Sequence, residues 1–264
     1  DHLKGKKRCG ACGFEYKKML LLNKYFESSY IKSLFLYFYS LKYFKILKNF
    51  KLKIIAVNNF HKLQLIKLGI PQNKITVINN PLNLDIKKVN TKENNIVYAG
   101  RISREKGLIE LLEAWKDADI KDYNLLIIGD GELRKQLKHK YSASNVKFLG
   151  FLPNEKVLEH ISKSTAVVTA TKLYEGHPRL LSEASVLGAV SIYPSFGGMD
   201  EFFPENYEFA FEQYNYNDLK NKFILLTDKE VRKNSINRIT VHTQKLLNEN
   251  IIRNKFIKVF EEHF

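Results

Sequence analysis

The chain has 264 residues, of which 44% are hydrophobic and 12% aromatic, enough to bury a core in about two domains. This content excludes a disordered or fibrous protein. The 43 Lys and Arg residues exceed the 28 Asp and Glu residues, and the net charge of +15 favours an anionic partner such as nucleic acid, lipid headgroups or a phosphorylated substrate. Two cysteines are too few for a disulfide scaffold, so we expect a reducing compartment.

No apolar stretch is long enough to cross a bilayer, and no signal-peptide pattern is visible. The most apolar run, residues 34–41, is followed by Lys42 and falls far short of the roughly 20 residues that a spanning helix needs. We therefore expect a cytoplasmic protein, with peripheral contact at the inner face of the cell membrane. Because the chain begins with Asp1, we also expect a fragment or a trimmed form of a longer protein.

Residues 1–53 are rich in lysine and aromatic residues and show no alternating strand pattern. Within them, lysines recur every three residues at Lys42, Lys45, Lys48 and Lys51. On a helix this spacing makes a basic stripe beside aromatic side chains. One interpretation is a helix that lies on an anionic membrane surface. The other, which is commoner, is an ordinary domain helix whose lysine face is solvated.

From residue 54 onward, short apolar runs alternate with helical stretches. We predict strands at 54–57 and 75–78 around a helix at 61–68, followed by a linker that ends at residue 95. Further strands are predicted at 96–99, 125–128, 146–149, 166–170 and 190–193, separated by helices at 107–118, 132–141, 154–164 and 178–187. A polar helical stretch covers 230–264. The alternation predicts an α/β fold with a parallel sheet covered on both faces.

Ligands of such sheets bind at the carboxyl ends of the strands, which directs attention to four loops. The first, GRISREKG at residues 100–107, places three cations and two glycines between a strand and a helix start. Glycine permits close backbone approach, the helix start offers free N–H groups, and arginine binds phosphate oxygens bidentately. We predict a phosphate or diphosphate site, although a solvated basic loop is the alternative. It is not a Walker loop, since the Lys-Ser/Thr ending is absent.

The third loop, EGHPRLLSE at residues 175–183, has the most informative pattern. Pro178 suits a first helical position, which places Glu175 in the loop before the helix and Glu183 on its second turn. The two carboxylates could hydrogen-bond sugar or ribose hydroxyls, while ordinary surface acids are the alternative. The second loop, GDG at 129–131, favours a tight turn over a cofactor site, and the fourth, residues 194–201, adds glycines and carboxylates or is a plain strand exit.

Taken together, these loops resemble a known family. The segments GRISREKG, IIGDG (127–131), VKFLG (146–150), the Glu-x7-Glu-Ala pattern at 175–184 and GGMDE (197–201) are similar in order and spacing to the donor-binding domain of GT-B retaining glycosyltransferases of family 4, the glycosyl transferases group 1. Residues 75–81 resemble the strand and turn before that family's interdomain linker. The resemblance covers about residues 54–226. It implies the end of an acceptor-side domain at 1–85, a Rossmann-like, doubly wound donor domain at 86–228, and helices at 229–264 that brace the first domain.

The resemblance also implies a role for each matching position. Arg101 and Lys106 would neutralise the donor diphosphate, Glu175 would contact the transferred sugar, and these three would form the catalytic set. Glu183 would hold the ribose hydroxyls. His177 is expected as a loop residue rather than a general base. The implied donor-binding set is Gly100, Arg101, Lys106, Gly176, His177, Pro178, Arg179, Leu180 and Glu183. By the same resemblance no metal or other cofactor is expected, because cations and a helix dipole stabilise the leaving group.

The function implied by the resemblance is transfer of a sugar, with retention, from a UDP- or GDP-sugar to a glycan or lipid-linked glycan in cell-surface polysaccharide or lipopolysaccharide synthesis. Two features depart from the family pattern: Gly188-Ala189-Val190 replaces Gly-x-Pro-Val, and the residues before the linker are too few for a whole first domain. A catalytically silent nucleotide-sugar-binding or partner-binding module left by truncation is therefore the alternative.

Two further possibilities find little support in the sequence. Only the net charge favours a nucleic-acid binder, since no RNA-binding aromatic motif, zinc finger or basic helix-turn-helix is visible. The pair Cys9 and Cys12 is half a zinc site, with His2 nearby and no second cysteine pair. We expect these two side chains to be reduced thiols.

Overall fold

The computed structural model describes residues 3–4, 7–8, 26, 29–49, 52–82, 84, 89, 91–142 and 145–262. Cys9, Cys12 and Lys51, which the sequence singled out, lie outside these residues. Contacts along the chain divide it into two units, Asp1–Asn79 and Asn80–Phe264. The boundaries at residues 85 and 228 and the bracing role of the last helices stay predictions.

The described part of the first unit is a small α/β arrangement. Its elements are β1 (Leu3–Lys4), β2 (Lys7–Arg8), α1 (Tyr30–Asn49), β3 (Ile54–Ala56), α2 (Asn59–Lys67) and β4 (Ile75–Val77). Strands β1 and β2 pair antiparallel, and β3 and β4 pair parallel. The Asn58 side chain accepts the N–H of His61 at 2.9 Å and so begins α2. Buried Ala56, Ile70 and Ile75 form a core against which side chains of α1, α2, β3 and β4 pack.

The second unit contains one parallel sheet. Its strands are β5 (Glu93–Ala99), β6 (Asn124–Ile128), β7 (Val146–Gly150), β8 (Ser164–Val168), β9 (Val190–Ser195) and β10 (Ala210–Glu212). The strand order is β10-β9-β8-β5-β6-β7, and every neighbouring pair is parallel. Ile96 of β5 pairs with Leu125 on one side and with Ala166 on the other. The chain thus runs outward from β5 to β7 and returns to β8, which makes the gap between β5 and β8 the topological switch point.

Helices cover both faces of this sheet. They are α3 (Leu108–Ala118), α4 (Arg134–Tyr141), α5 (Asn154–Lys163), α6 (Arg179–Val186), α7 (Tyr216–Leu225), α8 (Lys229–Leu246) and α9 (Glu249–Glu261). Helix α3 packs against α7, where the rings of Trp115 and Phe223 meet edge to face at 5.3 Å. Helix α6 packs against α5 and α8. Residues 166–168 of β8 are all buried although successive side chains point to opposite faces, so the predicted α/β sheet with two covered faces is confirmed.

Several element boundaries differ from prediction by a few residues. The end of the predicted linker at residue 95 was wrong, because β5 begins at Glu93. The strand predicted at 166–170 spans Ser164–Val168, and residues 169–170 already belong to the loop that follows it. The sequence also missed α7 and β10. Strand β10 has three residues and pairs with one neighbour, so it is too short to show a periodic pattern.

Hydropathy of the helices agrees with the sequence. Among the described residues, no helix combines the length and the apolar content that crossing a membrane requires.

Candidate functional site

A cavity of about 210 Å³ opens at the carboxyl ends of β5 and β8, where the switch point predicts a ligand. The residues that line it are Tyr98, Ala99, Gly100, Lys106, Thr169, Glu175, His177, Pro178, Arg179, Leu180, Leu181 and Met199. Seven of the ten predicted site residues therefore line this cavity: Gly100, Lys106, Glu175, His177, Pro178, Arg179 and Leu180. Arg101, Gly176 and Glu183 are not among the lining residues.

The two loops that form the cavity approach each other very closely. Gly107 begins α3 with a φ of +69°, and a Cβ there would lie 2.0 Å from the carbonyl oxygen of Ala170. Only glycine fits this contact, because any side chain would clash with backbone. The Lys172 N–H also donates to the Glu105 carbonyl at 2.9 Å. The loop after β5 is thus joined directly to the loop after β8.

A second glycine loop supports the first one from the side. The Ile102 N–H donates to the Asp130 carbonyl at 2.8 Å, and Gly100 N–H donates to Ile128 at 3.0 Å. Gly129 has a φ of +136°, and a Cβ there would lie 1.9 Å from the Gly100 carbonyl oxygen. The loop at 129–131 is therefore a tight turn that packs on the first loop, as the sequence favoured.

Lys106 and Glu175 meet at the cavity wall. The Lys106 ammonium donates to Glu175 Oε1 at 2.6 Å, and the Thr171 hydroxyl donates to the same oxygen at 3.3 Å. Both charged side chains are partly exposed, at 27% and 30%. The structure thus brings together one cation and one carboxylate that are 69 residues apart in the chain.

Arg179 and Glu183 form a second pair on α6. Arg179 Nε donates to Glu183 Oε1 at 2.8 Å, with the arginine side chain exposed and the glutamate side chain buried. Burial raises the pKa of the Glu183 carboxyl, and the Arg179 guanidinium opposes that change. Pro178 precedes α6 rather than opening it, so its predicted first helical position was wrong by one residue. Glu183 still lies on the second turn, as predicted.

Arg101 lies apart from the cavity wall. Its guanidinium is 68% exposed and lies 3.7 Å from Glu105 Oε1, a separation that leaves it largely solvated. Its carbonyl oxygen accepts the Tyr98 hydroxyl at 2.8 Å. The structure therefore places the Arg101 backbone at the site and its charge in solvent.

His177 stacks on Phe202 with the ring centroids 4.5 Å apart. Its Nδ1 and Nε2 atoms are both buried and have no hydrogen-bond partner among the described residues. Burial, assisted by the nearby Arg179 charge, lowers the pKa of this imidazole to about 4. The ring is therefore neutral at pH 7.

Some contributors to the site escaped the sequence reasoning. Tyr98, Thr169 and Met199 line the cavity, and Thr171 holds Glu175. Thr169 directly follows the buried strand β8, and that position alone could have pointed to it. The contact of Met199 depends on the fourth loop folding over the third, for which the sequence offers no local pattern.

In the part of the chain that the structure describes, no cluster of three or more His, Cys, Asp or Glu side chains is arranged to hold a metal ion.

Comparison with known proteins places this geometry in context. A family model described as Glycosyl transferases group 1 matches residues 80–242. An uncharacterized glycosyltransferase of Methanocaldococcus jannaschii is 30% identical over 186 residues, which cover 69% of this chain and 51% of that protein. A Campylobacter jejuni protein, named GalNAc-alpha-(1->4)-GalNAc-alpha-(1->3)-diNAcBac-PP-undecaprenol alpha-1,4-N-acetyl-D-galactosaminyltransferase, is 29% identical over 123 residues, 44% of this chain and 33% of that protein. The chain thus spans about half the length of these relatives or less.

Solved structures share the fold. The crystal structure of Anabaena HepE in complex with UDP and glucose superposes with a TM-score of 0.72 over 83% of this chain and 65% of that one, at 16% identity. At this identity the likeness concerns the fold, and it confirms the GT-B-like α/β class predicted from the sequence.

The environment of His177 predicts a pH dependence of stability. Because its folded pKa of about 4 lies below the ordinary value of about 6.5, the unfolded chain takes up a proton between these values that the folded chain does not. Stability is therefore lost as the pH falls from 6.5 towards 4. Urea unfolding at pH 7 and pH 5 should show that the wild-type protein loses about 1 kcal/mol more than His177→Phe over this interval, after allowance for solvent screening. His139→Gln, on the exposed side of α4, is the control that should behave as wild type. Equal losses in wild type and His177→Phe would contradict the prediction.

Proposed function

Since the chain belongs to the glycosyl transferases group 1 family, we propose that it binds a UDP- or GDP-linked sugar and that the complete protein transfers this sugar to a glycan or lipid-linked glycan. We assign the protein to family 4 and to the retaining mechanism, with a role in cell-surface polysaccharide or lipopolysaccharide synthesis. The observation that carries this proposal is the pairing of Lys106 with Glu175 in a cavity at the switch point of the sheet.

The relatives support this class of reaction. The C. jejuni relative is named for transfer of N-acetylgalactosamine to an undecaprenol-linked diphosphate glycan, and HepE was solved with UDP and glucose. These names favour a transferase over a silent binding module. Because the chain spans only part of its relatives, activity is proposed for the whole protein and donor binding for this chain.

The proposed donor lies between the two loops and the start of α6. Its diphosphate contacts Lys106 and the free N–H groups at the helix start, whose dipole favours an anion. Glu175 accepts hydrogen bonds from hydroxyls of the transferred sugar, and Glu183 accepts them from the ribose. Arg101 has an exposed side chain, and we propose that it turns towards the diphosphate. Gly100 and Gly176 allow the backbone to approach the ligand.

Chemistry in this arrangement depends on stabilising the departing diphosphate. Lys106 and Arg101, together with the α6 dipole, supply positive charge where negative charge develops, and we assign this task to them rather than to a bound metal. We propose that the diphosphate leaves from the same face that the acceptor attacks, without an enzymic nucleophile. Glu175 holds the sugar in place for that attack.

Donor binding in this proposal is an exchange of partners. Lys106 leaves the Glu175 carboxylate for a phosphate oxygen, which frees Glu175 to accept sugar hydroxyls. On α6, Arg179 likewise releases Glu183 to the ribose. Each binding group is already held by a group of opposite charge in the structure, so no bare charge has to be desolvated before the ligand arrives.

The first unit supplies a surface suited to peripheral membrane contact. Helix α1 contains four lysines and no acidic residue. Lys42, Lys45 and Lys48, which belong to the stripe that the sequence indicated, are exposed, as are Ile31 and Phe35. Exposed apolar side chains beside lysines favour an anionic lipid interface. We propose that α1 contacts the anionic inner face of the cell membrane, where a lipid-linked acceptor would be held.

Vesicle sedimentation tests this contact. Replacement of Lys42, Lys45 and Lys48 by glutamine should lower binding to phosphatidylglycerol vesicles by about tenfold, since each lysine near such a surface contributes about 1 kcal/mol that salt partly screens. The matched control removes three exposed lysines of the second unit, Lys116, Lys135 and Lys138, with the same change in charge. Equal losses from both triple variants, or equal binding of wild type to phosphatidylcholine, would refute a specific role for α1.

Titration calorimetry with UDP, GDP and their sugars tests the donor site itself. Lys106→Met should weaken nucleoside diphosphate binding by about tenfold or more, because a charge-assisted contact to phosphate is lost. Lys135→Met, exposed on α4, is the matched control and should bind like wild type. If the folded wild-type protein binds none of these ligands, the proposed function is wrong.

Glu175→Gln should separate the two halves of the donor. Removal of its negative charge releases Lys106, so the affinity for UDP or GDP alone should rise by roughly threefold, while the additional affinity contributed by the sugar should disappear. Calorimetry with the nucleoside diphosphate and its sugar measures both effects, with the exposed Glu113→Gln as control. If Glu175→Gln lowers the affinity for the nucleoside diphosphate and for the nucleotide sugar by the same factor, Glu175 does not exchange partners.

A further inference from the structure

A second lysine–glutamate pair lies directly behind the cavity wall. The Lys172 ammonium donates to Glu110 Oε1 at 2.6 Å, and both side chains are withdrawn from solvent, at 5% and 17% exposure. Neither residue lines the cavity. Lys172 is therefore a charged side chain in the interior that no contact with the proposed ligand explains.

The pair connects rigid structure to the loop that carries Glu175. Glu110 belongs to the first turn of α3. Lys172 lies in the loop after β8, between Thr171, whose hydroxyl donates to Glu175, and Glu175 itself. The Lys172 N–H donates to the Glu105 carbonyl, next to Lys106. A charged contact to α3 thus holds the chain three residues before the sugar-binding carboxylate.

The far side of the same segment is also tied down. Gln213 Nε2 donates to the Thr171 carbonyl at 3.1 Å, and the Tyr214 hydroxyl donates to the Lys172 carbonyl at 3.4 Å. The backbone at Thr171 and Lys172 is therefore held by hydrogen bonds, and the Lys172 side chain adds an ion pair with Glu110.

The cost of burying two charges indicates that the Lys172–Glu110 pair does more than stabilise the fold. Removing two charges from water costs several kcal/mol, and a buried ion pair is often no more stabilising than apolar side chains of similar size. Glu110 Oε2 is moreover buried without a hydrogen-bond partner in the described structure, which adds to the cost. What a short charged contact offers over an apolar one is direction, because it holds the loop at one distance from α3.

We propose that Lys172 and Glu110 are positioning residues that place Glu175 for contact with the donor sugar. This inference rests on the proposed function. Lys172 acts on the ligand through Glu175, since it does not line the cavity itself. Loss of the pair leaves the loop attached by its backbone but allows Glu175 to shift, and displacements of about 1 Å in positioning groups cost large factors in binding or rate.

Calorimetry with the nucleotide sugar that wild type binds most tightly tests the inference. Lys172→Met should weaken this binding by about tenfold, and Lys172→Arg, which keeps the charge, should recover most of the loss. Lys92→Met is the matched control: the Lys92 ammonium donates to the carbonyls of Ser162 and Leu187, and it precedes β5 at the opposite end of that strand from the cavity. Affinity should be unchanged in Lys92→Met even if this substitution lowers the melting temperature as much as Lys172→Met does.

A double-mutant cycle separates positioning from general stability. In a Glu175→Gln background, Lys172→Met should change the nucleotide-sugar affinity by less than about twofold, because the group through which it acts is gone. A merely structural role would produce the same loss in both backgrounds, and that result would overturn the inference. If Lys172→Met does not fold, the double variant Lys172→Met with Glu110→Leu removes both buried charges together. It should fold and still lose about fivefold or more in affinity.

The outcomes also distinguish this inference from the function on which it rests. Absence of any nucleotide-sugar binding by wild type refutes the proposed function. Wild-type binding with an unchanged Lys172→Met affinity leaves the function in place and refutes only the positioning role.

Discussion

The contact of Gly107 with the Ala170 carbonyl is the constraint on which the site depends. It lets the loop after β5 lie directly on the loop after β8, at the switch point where the strand order reverses. Once these backbones touch, Lys106 and Glu175 are within hydrogen-bond distance although they are far apart in sequence. The cavity exists because two parallel strands end side by side and their loops cannot separate.

Charge in the site is organised as pairs rather than as a positive patch. Lys106 with Glu175 and Arg179 with Glu183 line or border the cavity, and Lys172 with Glu110 lies behind it. A donor with both phosphates and hydroxyls can satisfy each member of the first two pairs separately. In the proposed function, these pairs add specific contacts to the general attraction of a net charge of +15 for an anionic ligand.

Much of the fold followed from local pattern. Apolar runs separated by helical stretches predicted the central strands, because a strand buried on both faces leaves a continuous apolar segment. Strand β10 was missed because three residues are too few to form a recognisable apolar run. The loops at 100–107 and 175–183 were recognisable because glycines, cations and carboxylates stand where strands end. His177 and Phe202, and likewise Lys172 and Glu110, were not recognisable as partners, since contacts between distant segments leave no periodic trace.

The sequence by itself determined the class of fold, the edge of the sheet at which the cavity opens, and most of the residue types that line it. These properties depend on strand patterning and on the chemistry of a few adjacent residues. Only the tertiary structure decided which charges are paired, that Arg101 faces solvent, and that burial lowers the pKa of the His177 imidazole. Such properties depend on burial and on the distances between side chains, and both are set by how segments that are distant in sequence pack against each other.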